Sequence, residues 1–350
     1  MATCQEFNRF TKASEVAAKF SKQIANKTIL ITGVSPNGLG QSTAEALAAH
    51  GPARLILTGR TQSKVQAVID HASSAHPEID YRYLELNLSS LGSVKKAAHQ
   101  INSNKDIAEI DIVICNAGVM WIQEYQQSAD DIEMQFATNH VGHFLFVNLI
   151  LPKLVAAAKH SPAGAVRIIN LSSDGHRFSP VRFSDANFTK EQKDLPEGER
   201  ANLAVMGAYG FATDGIYNPV VAYGQSKTAN VLFSLELSSR LFKPYGIKSY
   251  ALHPGGIQTE LWRHTEDAFV QALVQAQKAA GLEFKTLEQG SSTTLVAALD
   301  PHLPTPTSDG NNLYLSDCQF TPAEAWARTA ENAERLWTLS ESVVGQEFSV

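Results

Sequence analysis

The chain has 350 residues, of which 44% are hydrophobic and 18% are charged. This composition is ordinary for a soluble globular protein, and the length fits either one domain with insertions or two domains. The formal net charge of −6 leaves no basic patch, so we expect no nucleic-acid partner. We also expect no membrane span, because we find no apolar run as long as a bilayer requires.

The N-terminal residues and the cysteines indicate the cellular setting. Met1–Phe20 has apolar residues at amphipathic spacing but lacks the uninterrupted apolar core of a signal peptide, so we expect residues 1–26 to form a helical extension. Cys4, Cys115 and Cys318 are widely spaced and form neither a disulfide framework nor a metal-ligand pattern. We therefore expect no metal site and a reducing, cytoplasmic location.

The first strand and the turn after it predict a nucleotide site. Lys27–Thr32 is short, apolar and rich in β-branched residues, as in a buried parallel strand. The glycine-rich turn Gly33–Gly40 and an alanine-rich helix at Gln41–His50 follow. Glycines allow the backbone to approach a ligand closely, and the N–H groups at a helix start suit a pyrophosphate. The alternative is an ordinary strand–helix turn whose glycines serve its geometry alone.

The second strand predicts which dinucleotide binds. Arg54–Gly59 would end beside the adenosine ribose, where an acidic residue selects the 2′-hydroxyl of NAD. No acid follows this strand; the next residue is Arg60, whose guanidinium can pair with a 2′-phosphate. The sequence therefore favours NADP(H), unless Arg60 is an ordinary surface residue.

Strands and helices continue to alternate along the chain. This repetition predicts an α/β fold: a Rossmann-type, doubly wound, seven-stranded and mostly parallel sheet with helices on both faces, in a single domain with insertions. The further strands are predicted at Tyr81–Asn87, Ile110–Cys115, Ala165–Leu171, Gly246–His253 and Asn312–Leu315, and the further helices at Leu91–Ile101, Asp130–Ala157 and Tyr223–Phe242.

Three segments elaborate this domain. Residues 178–218 are loop-like, residues 257–285 are mostly helical in pattern, and residues 316–350 form a helical tail. Six aromatic residues lie in the first segment: Phe178, Phe183, Phe188, Tyr209, Phe211 and Tyr217. That segment could form a wall or lid over a large apolar substrate, or it could cover an exposed face or block oligomer contacts.

Tyr223 and Lys227 are four residues apart, so on a helix they share one face. We expect the lysine charge to favour the phenolate and to lower the tyrosine pKa from its free value of about 10. Such a phenol can transfer a proton near neutral pH. The alternative is a solvated helical face.

Taken together, these patterns resemble the short-chain dehydrogenase/reductase family. The matching residues, which follow the family's order, are Thr32-Gly33 with Gly38 and Gly40, Cys115-Asn116-Ala117-Gly118, Asn139, Ser172-Ser173, Tyr223 with Lys227, and Pro254-Gly255. Phe136–Phe144, His176 and Leu336–Glu341 look like the branch of the retinol dehydrogenases and the WW-domain oxidoreductase, although no WW domain is present.

The resemblance implies four catalytic roles. Tyr223 would donate the proton in carbonyl reduction, and Lys227 would lower its pKa and hold the nicotinamide ribose. Ser173 would hydrogen-bond the substrate oxygen. Asn139 would position a water in a proton relay, or it could simply satisfy a helix kink.

The resemblance also implies how NADP(H) binds. The implied cofactor-binding residues are Gly33, Ser35, Asn37, Gly38, Leu39 and Gly40 at the pyrophosphate, Arg60, Asn87, Leu88, Asn116, Ala117 and Gly118 on the adenosine side, and Tyr223, Lys227, Pro254, Gly255, Ile257 and Thr259 around the nicotinamide. Three features depart from the family pattern. The glycine turn has four residues between Gly33 and Gly38, where the family usually has three, and Pro36 within it lacks an N–H donor. Asn87 replaces the usual aspartate, and Ser173 lies unusually far from Tyr223.

The expected activity is NADP(H)-dependent reduction of a bulky apolar ketone or aldehyde, or the reverse oxidation of an alcohol. The remaining alternatives are a cofactor-binding regulator or scaffold with a vestigial site, and a dehydratase or epimerase that uses the same site. The helices at Asp130–Ala157 and Tyr223–Phe242 could pair across a homodimer.

Overall fold

A computed structural model describes residues 6–211, 215–264 and 283–349. Its sheet has the strand order β3-β2-β1-β4-β5-β6-β7-β8, and every neighbouring pair is parallel except β7 and β8. The strands are β1 Thr28–Ile31, β2 Arg54–Gly59, β3 Asp80–Glu85, β4 Ile112–Cys115, β5 Arg167–Leu171, β6 Lys248–His253, β7 Tyr314–Ser316 and β8 Gln319–Phe320. The predicted α/β class and doubly wound arrangement are therefore confirmed.

The helices lie on both faces of the sheet, as expected. They are α1 Ala13–Lys19, α2 Leu39–Ala48, α3 Gln62–Ala75, α4 Leu91–Ser103, α5 Met134–Ala158, α6 Leu203–Ala208, α7 Pro219–Tyr245, α8 Leu287–Leu299 and α9 Ala330–Val344. One apolar core packs α4, α5, α7 and α9 against the sheet, and a second core packs α1, α2, α3 and α8 against its other face. Strands β1, β4 and β5 are buried along their whole length, which explains why most of their residues are apolar.

The structure adds an eighth strand to the seven predicted. β7 and β8 form a hairpin whose two turn residues, Asp317 and Cys318, have φ angles of 51° and 66°. Left-handed conformations at both positions are typical of a type I′ hairpin turn. A two-residue edge strand is too short to produce a periodic pattern, so the sequence did not reveal it.

Helix α5 differs in detail from the prediction. It begins at Met134 rather than Asp130, because the Glu133 carboxylate caps it by accepting hydrogen bonds from the N–H groups of Gln135 (3.0 Å) and Phe136 (2.7 Å). It also contains a π-helical turn over Ala137–Val141. By length and composition this helix could cross a membrane, so our expectation that no run is long enough was wrong. In the described structure, 61% of its most apolar window is buried inside the protein.

The elaborations only partly follow the predictions. The N-terminal extension contains α1, and Phe7 and Phe20 are buried, but Phe10 is 67% exposed. The loop-like segment 178–218 contains helix α6, and the segment 316–350 contains strand β8 as well as helix α9. Of the expected helical segment 257–285, residues 265–282 lie outside the described residues.

Helix α9 covers part of α7. The Arg240 guanidinium of α7 lies 4.3 Å from the centroid of the Trp337 ring, and Leu241 belongs to the same core as Leu336. A dimer formed through α7 would have to use the surface that α9 leaves free, and the homodimer stays a prediction.

Gly142 allows α5 to approach the loop after β3. A Cβ at Gly142 would overlap the backbone carbonyl of Leu88. We expect Gly142→Ala to lower the free energy of unfolding by about 1–3 kcal/mol, because the clash is with backbone rather than with a mobile side chain. Gly92 of α4 is the control, because its Cβ would meet nothing closer than 3.9 Å. Gly92→Ala should stabilise by about 0.5–1 kcal/mol, and equal effects in denaturant unfolding would contradict the prediction.

Candidate active site

A cleft of about 430 Å³ lies along the carboxyl ends of the parallel strands. The turns after β1, β2, β4, β5 and β6 all contribute lining residues. This is the edge at which open α/β sheets bind ligands.

Most of the predicted site residues meet in this cleft. Those that line it are Gly33, Ser35, Gly38, Leu39, Arg60, Leu88, Asn116, Ala117, Gly118, Ser173, Tyr223, Lys227, Pro254, Gly255, Ile257 and Thr259. Asn37, Gly40, Asn87 and Asn139 do not line it.

These four residues make internal contacts instead. The Asn37 N–H donates to Gln41 (2.8 Å), and the Asn87 side-chain oxygen accepts from the Ser89 hydroxyl (2.9 Å). Gly40 lies against the Asn116 amide. Their sequence motifs predicted direct roles in the site. In the structure, their side chains or backbones instead shape the turns that reach the cleft.

The glycine turn fits a dinucleotide phosphate. Gly33 has φ +69°, and a Cβ there would lie 2.5 Å from the Cα of Ala117, so only glycine allows this close approach. Gly38 is the N-cap residue of α2 and has no side chain to occupy the free N–H groups. Both Gly38 and Leu39 line the cleft. The first N–H groups of α2 are therefore open toward a ligand, as an anion requires.

Asn116 ties the turn after β4 to the glycine turn. Its amide nitrogen donates to the carbonyls of Thr32 (2.8 Å) and Gly33 (3.0 Å). The Thr32 hydroxyl in turn accepts from the Ala117 N–H (3.0 Å) and contacts the buried ring of His143 (2.8 Å). Asn116 therefore acts mainly as a structural tie beneath the cofactor cleft.

Two cations lie at the end of β2. Arg60 lines the cleft, and so does Lys64, which is one turn further along in α3. Lys64 was not among the predicted site residues, although its four-residue spacing from Arg60 was a usable signal.

Tyr223 projects from the second turn of α7. Asn218 caps the start of this helix, because its side chain accepts from the N–H groups of Val220 and Val221. Burial raises the pKa of the Tyr223 phenol to about 12, although the nearby Ser173 side chain acts to lower it. A Cβ at Gly175 would lie 2.8 Å from the tyrosine ring, so this glycine, which the sequence analysis missed, leaves the space for the phenol.

Lys227 is fully buried one turn after Tyr223. Its ammonium nitrogen donates to the Leu171 carbonyl (2.9 Å) and lies 5.5 Å from the centroid of the Tyr223 ring. Burial lowers the pKa of Lys227 to about 7. The expectation that lysine charge lowers the tyrosine pKa is therefore wrong for this structure, because desolvation dominates at both groups.

Asn139 lies behind the cleft, in the π-turn of α5. Its side chain exchanges two hydrogen bonds with the Val119 backbone (2.8 and 2.9 Å) and donates to Ser226 (2.9 Å). Its oxygen is also the nearest atom to a Cβ built at Gly118. The side chain thus holds the turn after β4 in place, and the proton-relay role stays a prediction.

Two histidines fix the turn that carries Ser173. The His176 ring donates to the Ser173 carbonyl (2.7 Å), and the Asp174 N–H donates to His253 (3.2 Å). Burial lowers the pKa of His176 to about 4 and also lowers that of His253, so both rings are neutral at neutral pH.

The end of the cleft formed by the loop after β6 is shaped by close packing. Gly255 has φ +103° and lies against the Lys285 side chain, and Ile257 packs tightly on Gly290 of α8. Lys285 is buried and pairs with Asp317 at 2.5 Å.

An aromatic wall adjoins Tyr223. This wall consists of the aromatic residues that line the cleft near Tyr223: Trp121, Phe178, Tyr209, Phe211 and Trp262. Phe178, Tyr209 and Phe211 come from the segment 178–218, so this part of the segment borders the cleft. Trp121 has φ 51°, a conformation that costs a bulky residue on the order of 1–3 kcal/mol.

A glycine turn, a serine, a tyrosine and a lysine at the carboxyl edge of a doubly wound sheet define a dinucleotide-dependent class of oxidoreductases. A family model described as short chain dehydrogenase matches residues 27–184. Oxidoreductase fscI of Fusarium equiseti is 37% identical over 71% of this chain and 95% of the relative. Retinol dehydrogenase 12 of Bos taurus is 33% identical over 92% of this chain and 88% of the relative.

The chain belongs to the short-chain dehydrogenase family, within the branch that contains the retinol dehydrogenases. Among solved structures, the chain resembles a short-chain dehydrogenase from Sphingobium yanoikuyae in complex with NADPH. The TM-score is 0.52 at 20% identity, over 77% of this chain and 83% of that chain, and the likeness concerns the fold.

The lowered pKa of Lys227 predicts a pH-dependent stability. Its pKa falls from 10.5 to about 7 on folding, so between these values the unfolded chain holds a proton that the folded chain releases. Stability linked to Lys227 is therefore lowest below pH 7 and rises with pH through this window. We expect the free energy of unfolding of the wild type, relative to Lys227→Met, to increase from about pH 7 to about pH 10 in denaturant titrations. Parallel curves for the two proteins would contradict this prediction.

Proposed function

We propose that this protein is an NADP(H)-dependent reductase of a bulky apolar ketone or aldehyde, and catalyses the reverse oxidation when product and cofactor favour it. The observation that carries the proposal is that the Tyr223 phenol and Ser173 lie close together in one cleft, with Lys227 buried one turn away. These groups lie in the cleft that the glycine turn and the Pro254–Ile257 loop also line.

When bound, the reduced nicotinamide supplies a hydride to the carbonyl carbon. Tyr223 then gives its phenolic proton to the carbonyl oxygen, so that a ketone becomes a secondary alcohol. Burial keeps this phenol protonated at neutral pH, which is the state that a proton donor requires. The Ser173 hydroxyl provides a second donor toward the same oxygen as its negative charge develops.

Lys227 is placed to replace the proton that Tyr223 gives up. Its pKa of about 7 allows it to hold or release a proton near neutral pH, and it lies next to the tyrosine ring. The Leu171 carbonyl fixes its nitrogen in position. In this proposal its role is that of a proton carrier and a donor to the nicotinamide ribose.

Preference for NADP(H) is supported by the charges at the end of β2. Arg60 and Lys64 both follow β2 in the chain, and both line the cleft. Together they would neutralise a 2′-phosphate, which NAD lacks. The NADPH complex of the Sphingobium relative is consistent with this choice.

An apolar substrate is supported by the lining beyond Tyr223. Met120, Trp121, Phe178, Phe211 and Leu261 provide an apolar surface next to the two hydroxyl donors. Burial of such a surface by substrate is favourable at roughly 25 cal/mol per Å².

We also propose a cytoplasmic location, since the two described cysteines, Cys115 and Cys318, are free thiols.

Tyr223→Phe tests the proton-donor role. We expect kcat with NADPH and a carbonyl substrate to fall by at least about 100-fold, because the ring remains but the proton is lost. The dissociation constant for NADPH should change little. Tyr245→Phe, in the last turn of the same helix, is the control and should retain full activity. Near-normal turnover of Tyr223→Phe, measured by NADPH oxidation, would exclude the proposed mechanism.

Arg60→Ala and Lys64→Ala test the cofactor preference. Each substitution removes one positive charge from the site proposed for the 2′-phosphate. We expect each to weaken NADPH binding by roughly 10-fold, the order of a charge-assisted hydrogen bond. NADH binding should change by less than about twofold, because it lacks the phosphate. Equal losses for both cofactors in calorimetric titrations would show that these residues do not read the 2′ position.

A further inference from the structure

The backbone of Trp121 is held in a conformation that its side chain does not favour. Its φ of 51° lies in the left-handed region, which a bulky residue rarely adopts. Such a conformation persists only where the surroundings impose it, and it is found most often at ligand clamps and active sites. The residue follows directly on the turn that lines the cofactor cleft.

Buried side chains impose this conformation. The Trp121 N–H donates to the side-chain oxygen of Gln135 (2.8 Å), which is completely buried. The Gln135 amide nitrogen donates to the Pro219 carbonyl (3.0 Å) and to the Tyr217 phenol (3.2 Å). That phenol donates in turn to the carbonyl of Ile122 (2.8 Å). Tyr217 and Pro219, which lie between Ser173 and Tyr223 in the chain, therefore hold the Trp121 backbone in place through Gln135.

The indole itself lies between the proton donor and the rest of the aromatic wall. Its ring centroid is 6.5 Å from that of Tyr223, 5.5 Å from that of Phe211 and 6.3 Å from that of Trp262. All three contacts are edge-to-face, with interplanar angles of 65–79°. A group attached to a carbonyl at Tyr223 can therefore reach the indole, which lines the same cleft.

These rings pack edge-to-face against one another, and each of them also lines the cleft, so part of each ring is turned toward a bound group. A flat aromatic group can make edge-to-face or offset contacts with such rings, in addition to the contact area that any apolar group gains. A saturated group of the same size gains only the area. The wall therefore discriminates between aromatic and aliphatic substituents, while Ser173 and Tyr223 recognise the carbonyl oxygen.

We propose that Trp121 is a specificity-determining residue that forms the surface against which a flat aromatic group lies, so that the substrates are aryl ketones or aryl aldehydes. This inference names the substrate class of the proposed reductase and rests on that function. The hydrogen bonds from Gln135 and Tyr217 position the indole for this purpose.

A matched pair of ketones tests this proposal. The ketones are 2-acetylnaphthalene and its saturated counterpart 2-acetyldecalin. Their Kd values are read by calorimetry on the full-length protein with NADP+ bound, which cannot reduce them, and NADPH oxidation is followed separately. We expect the aromatic ketone to bind roughly 3- to 10-fold more tightly to the wild type, the range that an aromatic pair contributes beyond area. Trp121→Leu should remove this preference without changing NADPH affinity, and Trp121→Phe should retain most of it.

A second variant tests the positioning. Tyr217→Phe keeps the ring but removes the phenol that bonds to Ile122 and Gln135, so the preference for the aromatic ketone should shrink at least twofold. Tyr125→Phe is the control, because Tyr125 lies against Tyr217, at 5.4 Å between ring centroids, and is 41% exposed. It should leave the preference unchanged.

The outcomes separate this inference from the proposed function. Equal Kd values for the two ketones in the wild type, or an unchanged ratio in Trp121→Leu, would overturn the role of Trp121. A binding preference that depends on Trp121 but comes without NADPH oxidation would support the aromatic surface and overturn the reductase. Turnover without any preference between the two ketones would support the reductase and overturn the aromatic surface.

Discussion

The contact between the end of β5 and the first half of α7 determines the geometry of the site. The Leu171 carbonyl accepts hydrogen bonds from both Lys227 (2.9 Å) and Asn230 (3.0 Å). The Ser172 hydroxyl donates to the carbonyl of Lys227 (2.7 Å). These bonds fix the depth and rotation of the helix relative to the strand. Because Ser173 follows the strand and Tyr223 lies one turn before Lys227, the same contacts bring the two hydroxyl groups together.

Burial, rather than the charge of a neighbour, sets the protonation states of this pair. It raises the pKa of Tyr223 and lowers that of Lys227, since a low-dielectric site penalises the phenolate and the ammonium alike. The consequence is a protonated phenol next to an amine that titrates near neutral pH. The same packing that holds α7 against the sheet thus sets the protonation states of both groups.

The two ends of the cleft are built in different ways. The cofactor end consists of turns in which backbone approaches backbone, as where Gly33 lies against Ala117 and Asn116 binds the carbonyl of Thr32. The other end consists of large side chains from separate parts of the chain, including Trp121, Phe211 and Trp262. Closely packed backbone turns suit a ligand of constant shape. The large side chains at the other end can be exchanged without disturbing those turns.

Local spacing in the sequence was sufficient for the elements and for much of the cleft. Short apolar strands, the glycine turn and the four-residue interval between Tyr223 and Lys227 each have a meaning that depends only on neighbouring residues. The order of these units predicted the doubly wound sheet, and the carboxyl ends of its strands predicted where Gly33, Asn116, Ser173 and Tyr223 would meet. This holds because strand and helix periodicity, and the edge of a parallel sheet, are properties of the backbone.

Tertiary structure alone decided the features that depend on contacts between distant residues. The clearance that Gly175 gives to Tyr223, the tie that Asn139 makes to Val119, and the turn that creates β8 have no local signal. The pKa shifts of Tyr223 and Lys227 depend on how much protein surrounds them, and the backbone of Trp121 depends on Gln135 and Tyr217. Desolvation and close packing arise only when segments that are far apart in the chain come together, so a linear pattern does not specify them.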